Sequence, residues 1–262
     1  MPAPRAILNF RHTGDWGPGA VLARRASDMR PLIRTVEELI DEAWSRALAR
    51  PGVQLFDGPM CRLESASASP KRLRLNLSST TYKTFLGTNL SHPELADRYG
   101  PAVLANPVGV SPALETADGF LLLGRRNASV AYYPGRVHPF AGALEPRDAE
   151  DVFAAVRREL AEELSLADAD LEELRCTGLV EDAALRQPEL IFRVRCRLTK
   201  EAVEAKLDPV EHRGTWSVRA ARDEIQAALF QPELTPVAVA SLLLWGRARF
   251  GAEWFEAFAQ ET

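Results

Sequence analysis

Glu150-Asp151-Val152-Phe153-Ala154-Ala155-Val156-Arg157-Arg158-Glu159-Leu160-Ala161-Glu162-Glu163-Leu164 sets a dense group of carboxylates beside an apolar stripe. At about 100° per residue, Phe153, Val156, Leu160 and Leu164 fall on one face of a helix, while Glu159, Glu162 and Glu163 share a neighbouring arc. Carboxylates held that close repel one another, so a cation between them is the simplest account, and a hard divalent ion suits oxygen donors. A Glu-rich amphipathic helix is also what an ordinary solvated surface helix looks like. The flanking sequence decides between the two.

Ahead of the helix, Gly119-Phe120-Leu121-Leu122-Leu123-Gly124-Arg125-Arg126 has the pattern of a buried strand, and after it come Gly178-Leu179-Val180 and Leu190-Ile191-Phe192-Arg193-Val194-Arg195-Cys196. Strands on both sides of a helix imply an α/β layer arrangement. Asp148 is placed to cap the helix, with Asp151 in its first turn where negative charge suits the helix dipole. Further out, Thr35 to Ala49 keeps helical spacing through Val36, Leu39, Ile40, Ala43 and Ala47, and Pro51-Gly52 ends it. Met60 to Ala66 and Leu73 to Leu77 are expected strands around the turn Ser67-Ala68-Ser69-Pro70. Pro236 to Phe250, apolar nearly all round, is expected to be a deeply packed helix. The chain begins with a Gly/Pro-containing stretch to about Pro31, to which no element is assigned.

The carboxylate helix resembles the Nudix box. Glu150, seven residues, then Arg158-Glu159-Leu160-Ala161-Glu162-Glu163-Leu164-Ser165-Leu166 match that pattern except at Ser165, where the box has Gly. Gly142 lies two residues further from Glu150 than the pattern has it, which implies a longer loop into the helix. Leu55 to Pro59, Thr81-Tyr82-Lys83-Thr84-Phe85-Leu86-Gly87-Thr88-Asn89 and Asn106 to Asp118 precede the box in the order, and with wording similar to that, of the vertebrate Nudix hydrolases that split UDP-glucose and UDP-galactose.

That resemblance implies an α/β/α sandwich of mixed sheet and helices. Residues 1–100 would form a helix-plus-strands extension packed on a Nudix domain at 101–262. It implies a pyrophosphatase that needs magnesium, with manganese as the substitute, and yields UMP and a hexose 1-phosphate. Glu159 and Glu163, one turn apart, are expected as the main metal ligands with Glu162 as a third, and Arg158 as the residue whose planar fork holds a carboxylate in place. A further ligand or base would come from a loop, from Glu181, Glu189 or Glu211, with Glu211 and Glu189 favoured. His138 is a candidate for phosphate contact or proton transfer. Tyr82, Phe85, Thr88 and Asn89 are candidates for stacking on and hydrogen bonding to the base.

Two other readings stay open: a hydrolase for ADP-ribose or another NDP-sugar, and a module that binds a nucleotide sugar without cleaving it. A pure binder has no need of clustered, mutually repelling carboxylates, which disfavours the second. No Walker or Rossmann glycine loop, no Gly-x-Ser-x-Gly elbow and no zinc spacing occurs.

Composition sets bounds. The chain has 262 residues, 46% of them hydrophobic, and a net charge of −4. Length is ample for a full core, and the charge argues against a nucleic-acid partner, Lys71, Arg72 and Arg74 fitting the polar face of a strand. Cys61, Cys176 and Cys196 have no paired spacing and suit a reducing compartment. No signal-peptide core and no stretch of roughly 20 apolar residues occurs, so a cytoplasmic protein with no membrane partner is expected. The oligomeric state is left open.

Overall fold

The structure is a computed structural model that describes residues 7–25, 30–50 and 55–260. Among the described residues, eleven strands form two sheets. The larger runs β1 (Leu8–Trp16), β9 (Leu171–Asp182), β10 (Gln187–Cys196), β5 (Gly109–Glu115), β6 (Phe120–Arg126), β11 (His212–Arg219), with the short β7 (Val137–His138) on β6 and β8 (Gly142–Ala143) on β5. Neighbours are antiparallel except β10 and β5, which run parallel in register from Glu189↔Gly109 to Arg195↔Glu115. The smaller sheet runs β2 (Val21–Arg25), β4 (Arg72–Thr81), β3 (Pro59–Ser69).

Strand alternation assigns each side chain to one of two cores. Leu190, Phe192 and Val194 of β10, with Leu114 and Leu122, face a cluster that includes Phe153, Val156, Leu160 and Leu164. These last four are the predicted stripe on helix α4 (Val152–Leu164), and each side chain buried there contributes about 1.5–3 kcal/mol. Leu73, Leu75 and Leu77 of β4 join the same cluster, so the small sheet and α4 share one face of the large one. Ile191, Ala113, Leu121 and Leu123 point the other way, onto α7 (Pro236–Phe250) and α8 (Ala252–Gln260). The result is the expected layering of helices about a mixed sheet.

The predicted helix at Pro236 to Phe250 has those bounds and is buried from Val237 to Gly246. Helix α1 (Arg34–Leu48) lies one residue from the expected span, and the two expected strands are longer than predicted: β3 runs on through Ser67–Ser69, paired to Arg74–Arg72, so the turn is Pro70-Lys71 and not Ser67 to Pro70. Pro51-Gly52 lies outside the described residues. The stretch before Pro31 corrects the sequence reading, because it holds β1 and β2. Leu8 and Trp16 of β1 are buried at its ends, but the residues between them are polar or half-buried, so an edge strand here carries no clear alternation.

After β4 the chain makes a helical turn, α2 (Tyr82–Phe85), and a wider turn over Leu86–Leu90 before α3 (Leu95–Tyr99). A Cβ at Gly87 would overlap Ile40 of α1, so glycine there lets the two segments touch. Helices α5 (Lys200–Glu204) and α6 (Arg222–Ala228) complete the fold.

Candidate active site

Helix α4 carries the site, and both of its ends are fixed by local chemistry. Asp151 is the N-cap, accepting from the amides of Phe153 and Ala154. This corrects the expectation that Asp148 caps the helix: a 3₁₀ turn over Pro146–Asp148 brings the Asp148 carboxylate onto Arg158 instead. At the other end Ser165 adopts the left-handed conformation (φ 49°) that glycine would supply, and the amide of Leu166 reaches back to the Leu160 carbonyl at 3.2 Å.

Arg158 organises the carboxylates. Its fork donates to Glu159 at 2.6 Å, to Asp148 at 3.0 Å, to Glu162 at 3.3 Å and to the Ala143 carbonyl at 3.2 Å. Gly142 lies directly over the Glu159 carboxylate, and a Cβ there would overlap it. The glycine displaced along the sequence pattern therefore still faces the box. Glu159 and Glu163 are buried, 7% and 6% exposed, whereas Glu162 stands in solvent.

Glu163 and Nε2 of His212 share a hydrogen bond of 2.7 Å. Burial pushes the imidazole down to about 4, so it is neutral at pH 7. Glu211 brings a further carboxylate, and Glu163, Glu211 and His212 offer ligand atoms within 4.8 Å of one another. The loop that carries Glu211 is tied down by Asp208 N–H to the Glu163 carbonyl (2.8 Å) and by Asn127 to the carbonyls of Pro209 and Val210.

The electrostatics ask for a cation. Burial, then the charges of Glu163 and Glu162 working against Arg158, push the Glu159 carboxyl up to about 7. Burial and the Glu211 charge push Glu163 up to about 9. Such carboxyls ionise together only when positive charge is brought among them. Hard oxygen donors one helical turn apart, with Glu211 beside them, fit magnesium in the donor types they present.

The remaining candidates are dispersed. Glu189 is buried, held by Ser111 (3.0 Å) and Gln187 (3.2 Å), and burial pushes it up to about 8. Glu181 pairs with Arg11 of the edge strand β1. His138 is buried, its Nδ1 2.8 Å from the Thr235 hydroxyl, and burial followed by the charge of Arg126 holds it well below the usual histidine range. Thr88 donates to the Thr84 carbonyl and accepts from Ala105 N–H, while Asn89 bonds the Leu185 carbonyl and Asn106 N–H. These two residues pin the Tyr82–Leu90 segment to the sheet.

Tyr82 lines a cavity of about 1010 Å³ whose walls include Arg46, Arg50, Leu86, His92 and Ala131. Aromatic contacts run inward from it, Tyr82 to Phe85, Phe85 to Tyr132 and Tyr132 to His138, with ring centres 6.1–6.3 Å apart. The sequence reading missed His212, Arg126 and Tyr132 as members of this region. Glu211-His212 and Arg125-Arg126 stood at a loop edge and a strand end, and only the β6–β11 pairing that sets His212 opposite Arg126 brings them together.

No family model matches the chain. Among curated proteins it is 31% identical to the uridine diphosphate glucose pyrophosphatase NUDT22 of Bos taurus, over 86% of this chain and 89% of that one. The human protein of the same name is 32% identical, over 86% of both chains. A solved Nudix hydrolase from Nitrosomonas europaea covers 55% of this chain at 21% identity, with a TM-score of 0.38. Identity of this order across most of both chains, with a Nudix-type helix at the centre of the fold, places this protein in the Nudix hydrolase family to which NUDT22 belongs.

Proposed function

We propose that this Nudix hydrolase is a magnesium-dependent pyrophosphatase of a nucleoside diphosphate sugar, UDP-glucose or UDP-galactose, releasing UMP and the sugar 1-phosphate in the cytoplasm. The observation that carries the reading is the pair of buried carboxyls Glu159 and Glu163, pushed far above their ordinary range, with Glu211 and His212 gathered on Glu163; a cavity of about 1010 Å³ walled by Tyr82 is joined to His138 by the ring contacts through Phe85 and Tyr132. The names of the curated relatives support the uridine and glucose parts.

In this account Glu159, Glu162 and Glu163 hold magnesium, and Arg158 fixes the Glu159 carboxylate. Magnesium, when bound, supplies positive charge against that of the two phosphates. His212 donates to one oxygen of Glu163 and leaves the other free to serve as a ligand. Glu211, on its tethered loop, orients the attacking water and accepts its proton. The water oxygen joins one phosphorus, the bridging P–O bond breaks, and the leaving phosphate departs with the bond's electron pair. Glu189 braces the parallel β5–β10 edge from inside, and His138, held neutral, adds no charge to the site. Tyr82 offers its ring to the nucleoside, Phe85 backs it, and Thr88 and Asn89 keep the segment in place. Residues 1–100 thus belong to the catalytic unit formed with 101–262.

Product analysis by chromatography, with magnesium and a panel of nucleotide sugars, tests the proposal. A pocket that hydrogen-bonds uracil leaves groups unpaired with adenine, at about 1–3 kcal/mol each, so kcat/KM for UDP-glucose or UDP-galactose should exceed that for ADP-ribose or ADP-glucose by about ten-fold or more. Equal rates, or a preference for ADP-ribose, would count against the uridine assignment, and tight binding with no product would count against hydrolysis.

A further inference from the structure

Arg126 is the most anomalous side chain near this site. It is a buried arginine, 4% exposed, at the end of β6. Its Nε has no hydrogen-bond partner, and among the described residues no ion pair or side-chain hydrogen bond includes it. Its guanidinium carbon sits over the ring of Tyr132, 4.6 Å from the centre. Burying the Nε–H of an arginine without a carboxylate or carbonyl to accept from it is costly, and an aromatic face returns only part of the loss.

The position of that charge is informative. On one side it pairs across the β6–β11 register with His212, whose ring is bonded to Glu163 at 2.7 Å, and on the other its guanidinium lies over Tyr132, whose ring contacts lead through Phe85 to Tyr82 on the wall of the large cavity. Arg126 therefore stands between the carboxylate cluster and the cavity. A substrate whose nucleoside rests in the cavity and whose reacting phosphorus meets the carboxylates must carry its diphosphate past this point. Two anionic phosphates offer the oxygen acceptors that the guanidinium lacks, and the planar fork matches them in pairs.

We propose that Arg126, seated on Tyr132, is the diphosphate anchor of the site, a substrate-positioning residue that reads the pyrophosphate independently of base and sugar. The proposal rests on the assignment of a nucleoside diphosphate derivative as substrate. It differs from the roles of Glu159, Glu162 and Glu163, because it calls for a direct contact between protein and phosphate oxygen. Lys in place of Arg keeps the charge but loses the fork, and Gln loses both.

The test compares the affinities of UDP and uridine for the wild type, Arg126→Lys and Arg126→Gln by calorimetry. Wild type should favour UDP, and Arg126→Gln should shrink that preference by about 10- to 100-fold while uridine affinity holds, with Arg126→Lys in between. A purely structural arginine would weaken both ligands together, and an unchanged UDP-to-uridine ratio in a folded variant overturns the proposal. Should Arg126→Gln fail to fold, the Nε–H resonance of Arg126 in the wild type, assigned by its absence from Arg126→Lys, decides. It should move on adding UDP and stay put on adding uridine, and a resonance unmoved by saturating UDP overturns the anchor. If ADP-ribose proves to be the preferred substrate, the uridine assignment fails by itself, and ADP against adenosine replaces the ligand pair with the same two outcomes.

Discussion

Glu163→Gln separates the metal-free protein from the working enzyme. Burial, with the Glu211 charge beside it, pushes this carboxyl from its ordinary 4.5 up to about 9. An acid raised in the folded state binds its proton more tightly there than in the unfolded chain, so stability falls as pH climbs from 4.5 towards 9 and levels off above. At pH 7 the loss is about 1.4 kcal/mol for each pH unit above 4.5, on the order of 3 kcal/mol. The glutamine amide has the same shape, can still accept from His212 through its carbonyl, and has no charge to desolvate. In EDTA, Glu163→Gln should therefore melt close to the wild type near pH 5. At pH 7 it should melt above it, by roughly 5–10 °C for a chain of this size, with a wider gap at pH 9. Magnesium should reverse the order, since it stabilises the protein that binds it and the variant binds it poorly. Turnover at saturating magnesium should fall at least about 100-fold. Scanning calorimetry at the three pH values, with EDTA and with magnesium, reads the whole pattern. A variant less stable than the wild type at every pH, an equal gain from magnesium in both proteins, or surviving turnover would refute the reasoning.

Three other substitutions or truncations probe different parts of the account. Gly142→Ala puts a methyl group into the Glu159 carboxylate, so it should leave the fold in place by circular dichroism and lower kcat at least about ten-fold through displaced metal. Ser165→Gly relieves a left-handed residue at the end of α4 and should add about 1 kcal/mol, raising Tm by roughly 2–4 °C with turnover unchanged. A fragment of residues 101–262 lacks β1, the partner of β9, and the segment pinned by Thr88 and Asn89, so it should be insoluble or inactive on expression; a soluble fragment with full turnover would assign the first hundred residues another role.

Much of the fold could be read from local patterns because its central elements are strongly periodic. The stripe Phe153, Val156, Leu160, Leu164 and the apolar run of α7 need no knowledge of their partners to be recognised. Strand β1 escaped because an edge strand with polar residues between Leu8 and Trp16 has no period to detect. The box carboxylates were visible in the sequence for a similar reason: helix geometry alone puts Glu159, Glu162 and Glu163 on one arc. Asp148 was misplaced because its distance from Arg158 depends on a 3₁₀ turn that the sequence does not announce. His212 and Arg126 meet Glu163 and the cavity only through β6–β11 pairing, a contact between segments more than eighty residues apart. Residues brought together by sheet register carry no spacing of their own.

Phosphorus NMR of UDP-glucose during incubation with the protein tests the central claim most directly, because each phosphorus reports its own bond. With magnesium present, the two diphosphate resonances should give way to two monophosphate resonances of equal area, those of UMP and glucose 1-phosphate, and EDTA should stop the change. Unchanged diphosphate signals under saturating magnesium, or a single resonance of inorganic phosphate, would contradict it.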